Sequence, residues 1–299
     1  MSERICAVVV TYNRKALLAK CLCSLEAQSR SPNAILIVDN CSTDGTRAML
    51  AEQFGHLSLL CLETNSGGAG GFREGMKWAH QRGFDWLWVM DDDVEAMPAA
   101  LANLLEFQHL SDFIHARRVN DNGLPFPWEG VLDPTTLGKK SLPSDASFEA
   151  GRDWIPVNYG CFEGALIHRR VVDRIGLPDW RFFVQGDDQI YGYQAARHTN
   201  VIYVNRVAFR RQLPMSSEPT ESRCYLTFRN RFLTYEHLAA SGLPMSRAAL
   251  WAQNLIVVTW VIRTTRPRRL SNYWRNLRGM ITGMWDGARG RYGAPPWVR

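Results

Sequence analysis

Trp86-Leu87-Trp88-Val89-Met90-Asp91-Asp92-Asp93 decides how this chain folds. Five large apolar residues in a row suit a short strand covered on both faces, and three carboxylates follow without a spacer. Like charges this close repel, so the run is costly unless a cation binds it. Oxygen donors suit hard divalent ions, Mg²⁺ or Mn²⁺, which also bridge to diphosphates. In an extended segment Asp91 and Asp93 point one way and Asp92 the other. Asp91 and Asp93 are therefore expected to face the ion and the nucleotide.

Upstream, the same strand-then-polar pattern recurs. Ile5 to Val10 is a continuous β-branched run, and an amphipathic helix is predicted from about Lys15 to Ser29. Ala34 to Val38 is a second strand, ending in Asp39-Asn40-Cys41-Ser42-Thr43-Asp44-Gly45-Thr46, a turn rich in helix-capping residues. Leu57 to Leu62 is a third. The glycine-rich loop Asn65 to Gly71 then feeds a helix from about Phe72 to Gln81, and Trp86 to Met90 is the fourth strand. Repeated β-α units imply a mainly parallel sheet, whose ligands bind at the carboxyl ends of the strands. Thr11, Asp39, Asn65 and Asp91 each follow a strand, so four separate segments should meet at one edge.

Downstream the signals change. From about Asp112 to Trp154 the chain is rich in Pro, Gly, Asp and Ser, as expected of an irregular connection with a hairpin. Cys161 to Val172 and Asp187 to His198 are ordered again, and beyond Arg223 the chain is helical. Residues 1–222 are thus expected to form the catalytic α/β domain, and residues 223–299 a helical, basic region. Trp251 to Ile262 is apolar but too short to cross a bilayer.

Two further stretches carry chemistry. The glycine run allows close backbone approach to phosphate or sugar at a helix start, with Gly68 at its centre. It has neither the Gly-x-Gly-x-x-Gly spacing after a first strand nor a Lys-Ser/Thr, which speaks against a dinucleotide site and a P-loop. Asp187-Asp188 open an expected helix, where the amino terminus stabilises carboxylates. Either acid suits a general base for a hydroxyl acceptor, and Asp187 equally suits a helix cap.

Composition sets bounds. A chain of 299 residues, 46% hydrophobic and 21% charged, can bury a full core. Its seven cysteines are scattered without a Cys-x-x-Cys pair, which favours reduced thiols in the cytosol over disulfides or a metal cluster. The amino terminus runs straight into a strand-length apolar stretch rather than a secretory core. Net charge is +6, skewed to the carboxy terminus: from Arg263 to Arg299 the single acid is Asp286. There Trp251, Trp260, Tyr273, Trp274 and Trp285 are interleaved with Arg263, Arg266, Arg268, Arg269, Arg275 and Arg278. This mixture suits the interface of an anionic membrane, or else the interface of a homo-oligomer. No nucleic-acid-binding motif accompanies the charge.

Taken in order, Val10-Thr11-Tyr12-Asn13-Arg14, Val38 to Thr46, Asn65 to Gly71 and Met90 to Asp93 resemble successive motifs of glycosyltransferase family 2, inverting enzymes of the GT-A fold. The resemblance spans about Ile5 to Leu238. Within the family it is most similar to bacterial galactofuranosyltransferases, strengthened by Asp187-Asp188, Tyr191-Gly192, Tyr225 and Phe228-Arg229-Asn230-Arg231. It implies that Thr11, Asn13 and Arg14 hold the nucleotide and Asp39 the uracil, while Asn65 and the glycine loop line the donor site. Asp91 and Asp93 would bind Mn²⁺ or Mg²⁺ with the diphosphate, Asp92 would touch ribose or sugar, and Asp188 would be the base. The implied partners are a UDP-sugar, expected to be UDP-galactofuranose, and a lipid-linked glycan acceptor of a cell-surface polysaccharide. The implied location is the cytoplasm, peripheral on the inner membrane. In the galactofuranosyl enzymes a histidine commonly supplies a third metal ligand. Here the matching stretch, Val207 to Arg211, carries Arg210 and Arg211, and Arg210 or Arg211 is expected to meet the diphosphate as a cation, with Arg210 assigned to the site. A second acid that usually follows the base is replaced by Ile190. A rhamnosyltransferase using dTDP-rhamnose is the alternative within the class. A nucleotidyltransferase or a non-catalytic binding protein are alternatives outside it.

Overall fold

The computed structural model describes residues 3–120, 122–124, 130–142, 148, 151, 153–213, 219–242, 246–264 and 270–297. The first half alternates β1 (Ile5–Thr11), α1 (Lys15–Glu26), β2 (Ala34–Asp39), α2 (Thr46–Gln53), β3 (Ser58–Cys61), α3 (Gly67–Gln81) and β4 (Trp86–Asp91). Next come β5 (Val94–Ala96), α4 (Ala100–Leu105), β6 (Phe113–Val119) and the hairpin of β7 (Gly130–Asp133) and β8 (Gly138–Ser141). They are followed by β9 (Trp154–Val157), β10 (Ala165–His168), α5 (Arg169–Ile175), α6 (Asp187–Ala195) and β11 (Val201–Arg211). Three long helices close the chain: α7 (Glu221–Ala240), α8 (Arg247–Thr264) and α9 (Leu270–Ala288).

The main sheet runs β3-β2-β1-β4-β10-β6-β11-β5, with β9 also on β11. The first four strands are parallel, as are β6 and β11, whereas β10, β5 and β9 run against their neighbours. Alternation along β1 divides the core. Ile5, Ala7 and Val9 face Leu18, Leu22 and Leu25 of α1 and Leu101 and Leu104 of α4. Cys6, Val8 and Val10 face Phe72, Met76 and Ala79 of α3, with Val171 of α5 and Tyr191 of α6 beyond. With helices on both faces, the buried strands have no room for polar residues until they end.

Two expectations change. Most of the glycine run is not a loop before α3 but part of it, since the helix starts at Gly67 and Gly67 to Gly71 form about its first turn and a half. A Cβ on Gly71 would lie 2.4 Å from Val10 Cγ1, so α3 needs that glycine to lie on β1. The supposed irregular connection also contains β6, a full strand of the sheet. Its sequence, Phe-Ile-His-Ala-Arg-Arg-Val, conceals a buried segment because His115 and Arg118 are themselves buried. The expected hairpin is present as β7 and β8.

Helix α7 starts at Glu221, beside the expected boundary, but it is not detached from the α/β layer. Cys224, Phe228 and Phe232 of α7 share a small core with Leu250 of α8 and Met280 and Met284 of α9. Arg229 and Asn230 on the same helix reach the segment ahead of α6.

Candidate active site

Strand register places the first site residues together. Thr11 pairs with Asp39 across β1 and β2, and Val10 pairs with Asp91 across β1 and β4. Three strand ends thus lie side by side, and the loops after them are stitched to one another. Asn13, in the left-handed region at φ 53°, accepts from the Thr43 amide at 2.7 Å and donates its own amide to Ser42 Oγ at 2.9 Å. Asn40, which no motif argument singled out for a role, is buried. Its Oδ1 accepts from the Ser66 amide at 2.8 Å, and its Nδ2 donates to the Gly67 carbonyl at 2.8 Å. Asn65 Oδ1 accepts from the Gly67 amide at 2.9 Å, which satisfies a helix-start donor of α3. Asp39 is fully buried, and its oxygens accept from Arg47 Nε at 2.5 Å and the Ser42 amide at 3.0 Å.

The acidic run divides at the turn that follows β4, where Asp92 and Asp93 lie beyond the extended strand. Asp92 accepts from Thr11 Oγ1 at 2.7 Å and from Arg14 Nη1 at 3.1 Å. Asp91 and Asp93 instead face Glu163, and one carboxylate oxygen from each of the three lies within 4.8 Å of the others. Arg14 also reaches Asp93 Oδ2, at 3.2 Å. Glu163 lies between β9 and β10 and was missed from sequence, because a lone acid after Cys161-Phe162 carries no motif signal.

Positive charge compensates this cluster from the far side. Arg211 donates to Glu163 Oε1 at 2.6 Å and to Asp93 Oδ2 at 3.2 Å, and buried Arg118 lies 3.6 Å from Glu163 Oε2. Arg210 is elsewhere: it pairs with Glu95 on the neighbouring strand, register partner to register partner. Adjacent residues of a strand point to opposite faces, so only one of the two arginines can meet the acids, and it is Arg211. Of the two arginines expected near the diphosphate, Arg211 therefore faces the acidic cluster, and Arg210 lies against Glu95 instead.

Burial and mutual repulsion raise Asp91 and Asp92. Asp91 is held well above the usual carboxylate range, first by burial and then by the charges of Asp93, Glu163 and Asp92. Asp92 is raised by burial, against the opposing pull of Arg14 and Thr11. Despite the arginines, Asp93 Oδ1 and Glu163 Oε2 are buried without a hydrogen bond among the described residues. Unsatisfied carboxylate oxygens cost free energy, and a hard cation between them removes that cost. The donor set of Asp91 and Asp93 therefore fits Mn²⁺ or Mg²⁺.

Asp187 and Asp188 open α6, and the Gln189 amide donates to Asp188 Oδ1 at 2.7 Å. Burial pushes Asp188 up to about 6, helped by the charge of Glu163, and burial with the Asp188 charge holds Asp187 well above the usual carboxylate range. The segment before them is backbone-strained: Phe183, Gln185 and Gly186 all have positive φ. Asn230 of α7 holds it by donating Nδ2 to the carbonyls of Phe182, Val184 and Gln185 at 2.7–3.1 Å. Arg229 donates to the Phe182 carbonyl at 2.7 Å. The Phe183 carbonyl in turn accepts from the Ala69 amide at 3.1 Å and so caps α3. A cleft of about 600 Å³ joins the two halves, lined by Gly68, Asp91, Glu163, Asp188, Arg211 and Asn230. A Cβ on Gly68 would meet nothing within 4 Å, so this glycine leaves the cleft wall open.

Residues 6–176 match the model of glycosyl transferase family 2. The chain belongs to that family. This family 2 glycosyltransferase is 36% identical over 193 residues to the galactofuranosyltransferase GlfT1 of Mycolicibacterium smegmatis, which covers 62% of the chain and 63% of that protein. The match to GlfT1 of Mycobacterium tuberculosis is 36% over 199 residues, 63% of each. The chain thus spans somewhat under two thirds of these relatives. Among solved structures, S. aureus TarS superposes with a TM-score of 0.58 at 17% identity, over 99% of this chain and 50% of that one. TarS 1–349 in complex with UDP-GlcNAc gives 0.59 at 16%, over 96% and 81%. These likenesses show the fold, the α/β GT-A class with its mainly parallel sheet and carboxy-terminal helices. Family membership also stands against the nucleotidyltransferase alternative.

Proposed function

We propose that this family 2 enzyme transfers galactofuranose from UDP-galactofuranose to a hydroxyl of a growing cell-surface glycan, with inversion at the anomeric carbon. The observation that carries the reading is one cleft shared by a carboxyl raised to about 6 and a cation-fitting acidic cluster. Identity to GlfT1 supports the donor sugar.

On this reading Thr11, Asn13, Arg14, Asp39 and Asn65 shape the nucleotide side, Gly68 leaves room for the sugar, and Asp92 contacts ribose or sugar. Asp91 and Asp93 hold Mn²⁺ or Mg²⁺, which when bound offsets charge on the departing diphosphate. Arg211, rather than Arg210, takes the diphosphate role. Asp188 accepts the proton of the acceptor hydroxyl as its oxygen attacks the anomeric carbon. The bond from that carbon to the diphosphate breaks, and UDP leaves from the opposite face.

Peripheral contact of α8 and α9 with the cytoplasmic face of an anionic inner membrane would bring a lipid-linked acceptor to the cleft. Incubation with a panel of nucleotide sugars, including UDP-galactofuranose and dTDP-rhamnose, with and without Mn²⁺, tests the donor. Hydrolysis or transfer is expected from UDP-galactofuranose; preference for dTDP-rhamnose would sink the galactofuranose reading. Asp188→Asn should lose transfer while still binding UDP.

A further inference from the structure

The third protein ligand expected of relatives is a histidine in the stretch now occupied by Val207 to Arg211. We infer that Glu163 supplies that ligand instead, completing an all-carboxylate site with Asp91 and Asp93, and that Arg211 is the resident cation competing for it. The inference rests on the metal reading of the donor site, which it deepens.

Three observations converge. Oxygens of Asp91, Asp93 and Glu163 lie within 4.8 Å of one another, so a small contraction toward an ion whose ligands sit at about 2.1 Å lets it touch all three. Asp93 is 1% exposed and keeps Oδ1 without a hydrogen bond, and Glu163 Oε2 is buried in the same condition. Arg211 bridges the other oxygens of the same two residues, donating to Glu163 Oε1 and Asp93 Oδ2. Arg211 thus holds one oxygen of each residue; of the other two, Glu163 Oε2 has Arg118 at 3.6 Å, too far for a hydrogen bond, and Asp93 Oδ1 has no hydrogen bond among the described residues. Glu163 comes from the β9–β10 connection, held by Gly164, whose amide donates to the Val89 carbonyl at 2.8 Å. That bond ties the residue next to Glu163 to the strand that ends in Asp91. Replacing a neutral imidazole with a carboxylate makes the protein donor set more negative. A nearby guanidinium that can turn from carboxylate to diphosphate balances that change when donor and ion arrive together.

The test measures Mn²⁺ affinity of the full chain by electron paramagnetic resonance of free Mn²⁺, with and without UDP. Loss of an outer-shell partner alone lowers metal affinity about 10–100-fold, so Glu163→Gln is expected to weaken Mn²⁺ binding at least about tenfold. Glu163→Asp withdraws the ligand oxygen while keeping the charge that Arg118 and Arg211 need; it is expected to bind more weakly than wild type too, and it serves if Glu163→Gln fails to fold. Without UDP, Arg211→Met should bind Mn²⁺ more tightly than wild type, because a competing cation is gone. Wild-type affinity in both Glu163 variants, with binding lost in Asp93→Asn, would overturn the inference and leave the metal reading standing. No Mn²⁺ binding by wild type even with UDP would overturn both. Unchanged or weaker binding in Arg211→Met would overturn the competition.

Discussion

As the proposed base, Asp188 has to ionise where burial resists it, and that conflict gives the first two predictions at the scale of single residues. A base works only when deprotonated, so with its pKa raised to about 6 turnover should rise with pH through that value and level off above it. A flat profile from pH 5 to 8, measured at saturating donor, would remove Asp188 from the role. General-base removal typically costs about 10²–10⁴-fold, the loss expected in turnover for Asp188→Asn. Stability should move the other way. Because the folded value lies above the usual 3.8, the folded state holds more protons than the unfolded one between 3.8 and 6. Stability from this group is therefore full below 3.8 and declines as pH rises through the window. Asn mimics the protonated carboxyl, so the variant should melt higher than wild type at pH 8 and no higher at pH 4. The donor residues show the reverse economy: Thr11 and Arg14 are already bonded to Asp92, which needs no ion to be satisfied.

At the scale of elements, α7 holds the segment that leads into the proposed base, Asp188. Asn230 spans three carbonyls of a segment in which Phe183 and Gln185 hold left-handed backbone, a conformation that costs free energy unless neighbours enforce it. Asn230→Ala should let Asp188 drift, and displacement of about 1 Å can cost about 10²-fold in rate. UDP affinity should hold, because the proposed nucleotide residues lie apart from this segment; equal loss of both would make Asn230 merely structural. Helix α9 depends on α7 in turn. A Cβ on Gly283 would lie 2.3 Å from the Tyr225 carbonyl, so Gly283→Leu should destabilise by about 1–3 kcal/mol in denaturant melts. These couplings explain what sequence could and could not reveal. The ends of β1, β2 and β4 were legible because apolar runs stop abruptly at Thr11, Asp39 and Asp91. Strand β6 was not, because Arg118 and His115 are paid for by tertiary partners that no local pattern displays. The choice of Arg211 over Arg210 depends on the register of β11 against β5, and Glu163 on a fold that brings a distant loop to Asp91.

Across the whole molecule, apolar and basic groups gather at the end formed by the last helices. Trp251, Leu255 and Ile256 of α8 and Trp274, Ile281 and Trp285 of α9 are exposed, from 38% to 66%. Trp274, Arg278, Ile281 and Trp285 recur at helical spacing, so they share one face of α9. Arg289 lies over the Trp285 ring at 3.8 Å, while Arg275 and Arg278 both pair with Glu221 at the start of α7. Arg266, Arg268 and Arg269 lie outside the described residues, and so does the side chain of Trp260. No helix among the described residues is long and apolar enough to cross a membrane. Such a face suits shallow contact, with indole rings at the headgroup level and arginines among the phosphates. The full chain should therefore sediment with vesicles containing phosphatidylglycerol and much less with phosphatidylcholine alone, and added salt should release it. Burying a large apolar side chain contributes about 1.5–3 kcal/mol, so replacing Trp274 and Trp285 with Ser should lower partitioning by at least about tenfold. Turnover on a water-soluble acceptor should be unchanged, since neither residue lines the cleft. Equal binding to neutral vesicles would remove the electrostatic part of the reading. A stable dimer that the same double substitution dissociates, with no vesicle binding, would assign this face to a second copy of the chain.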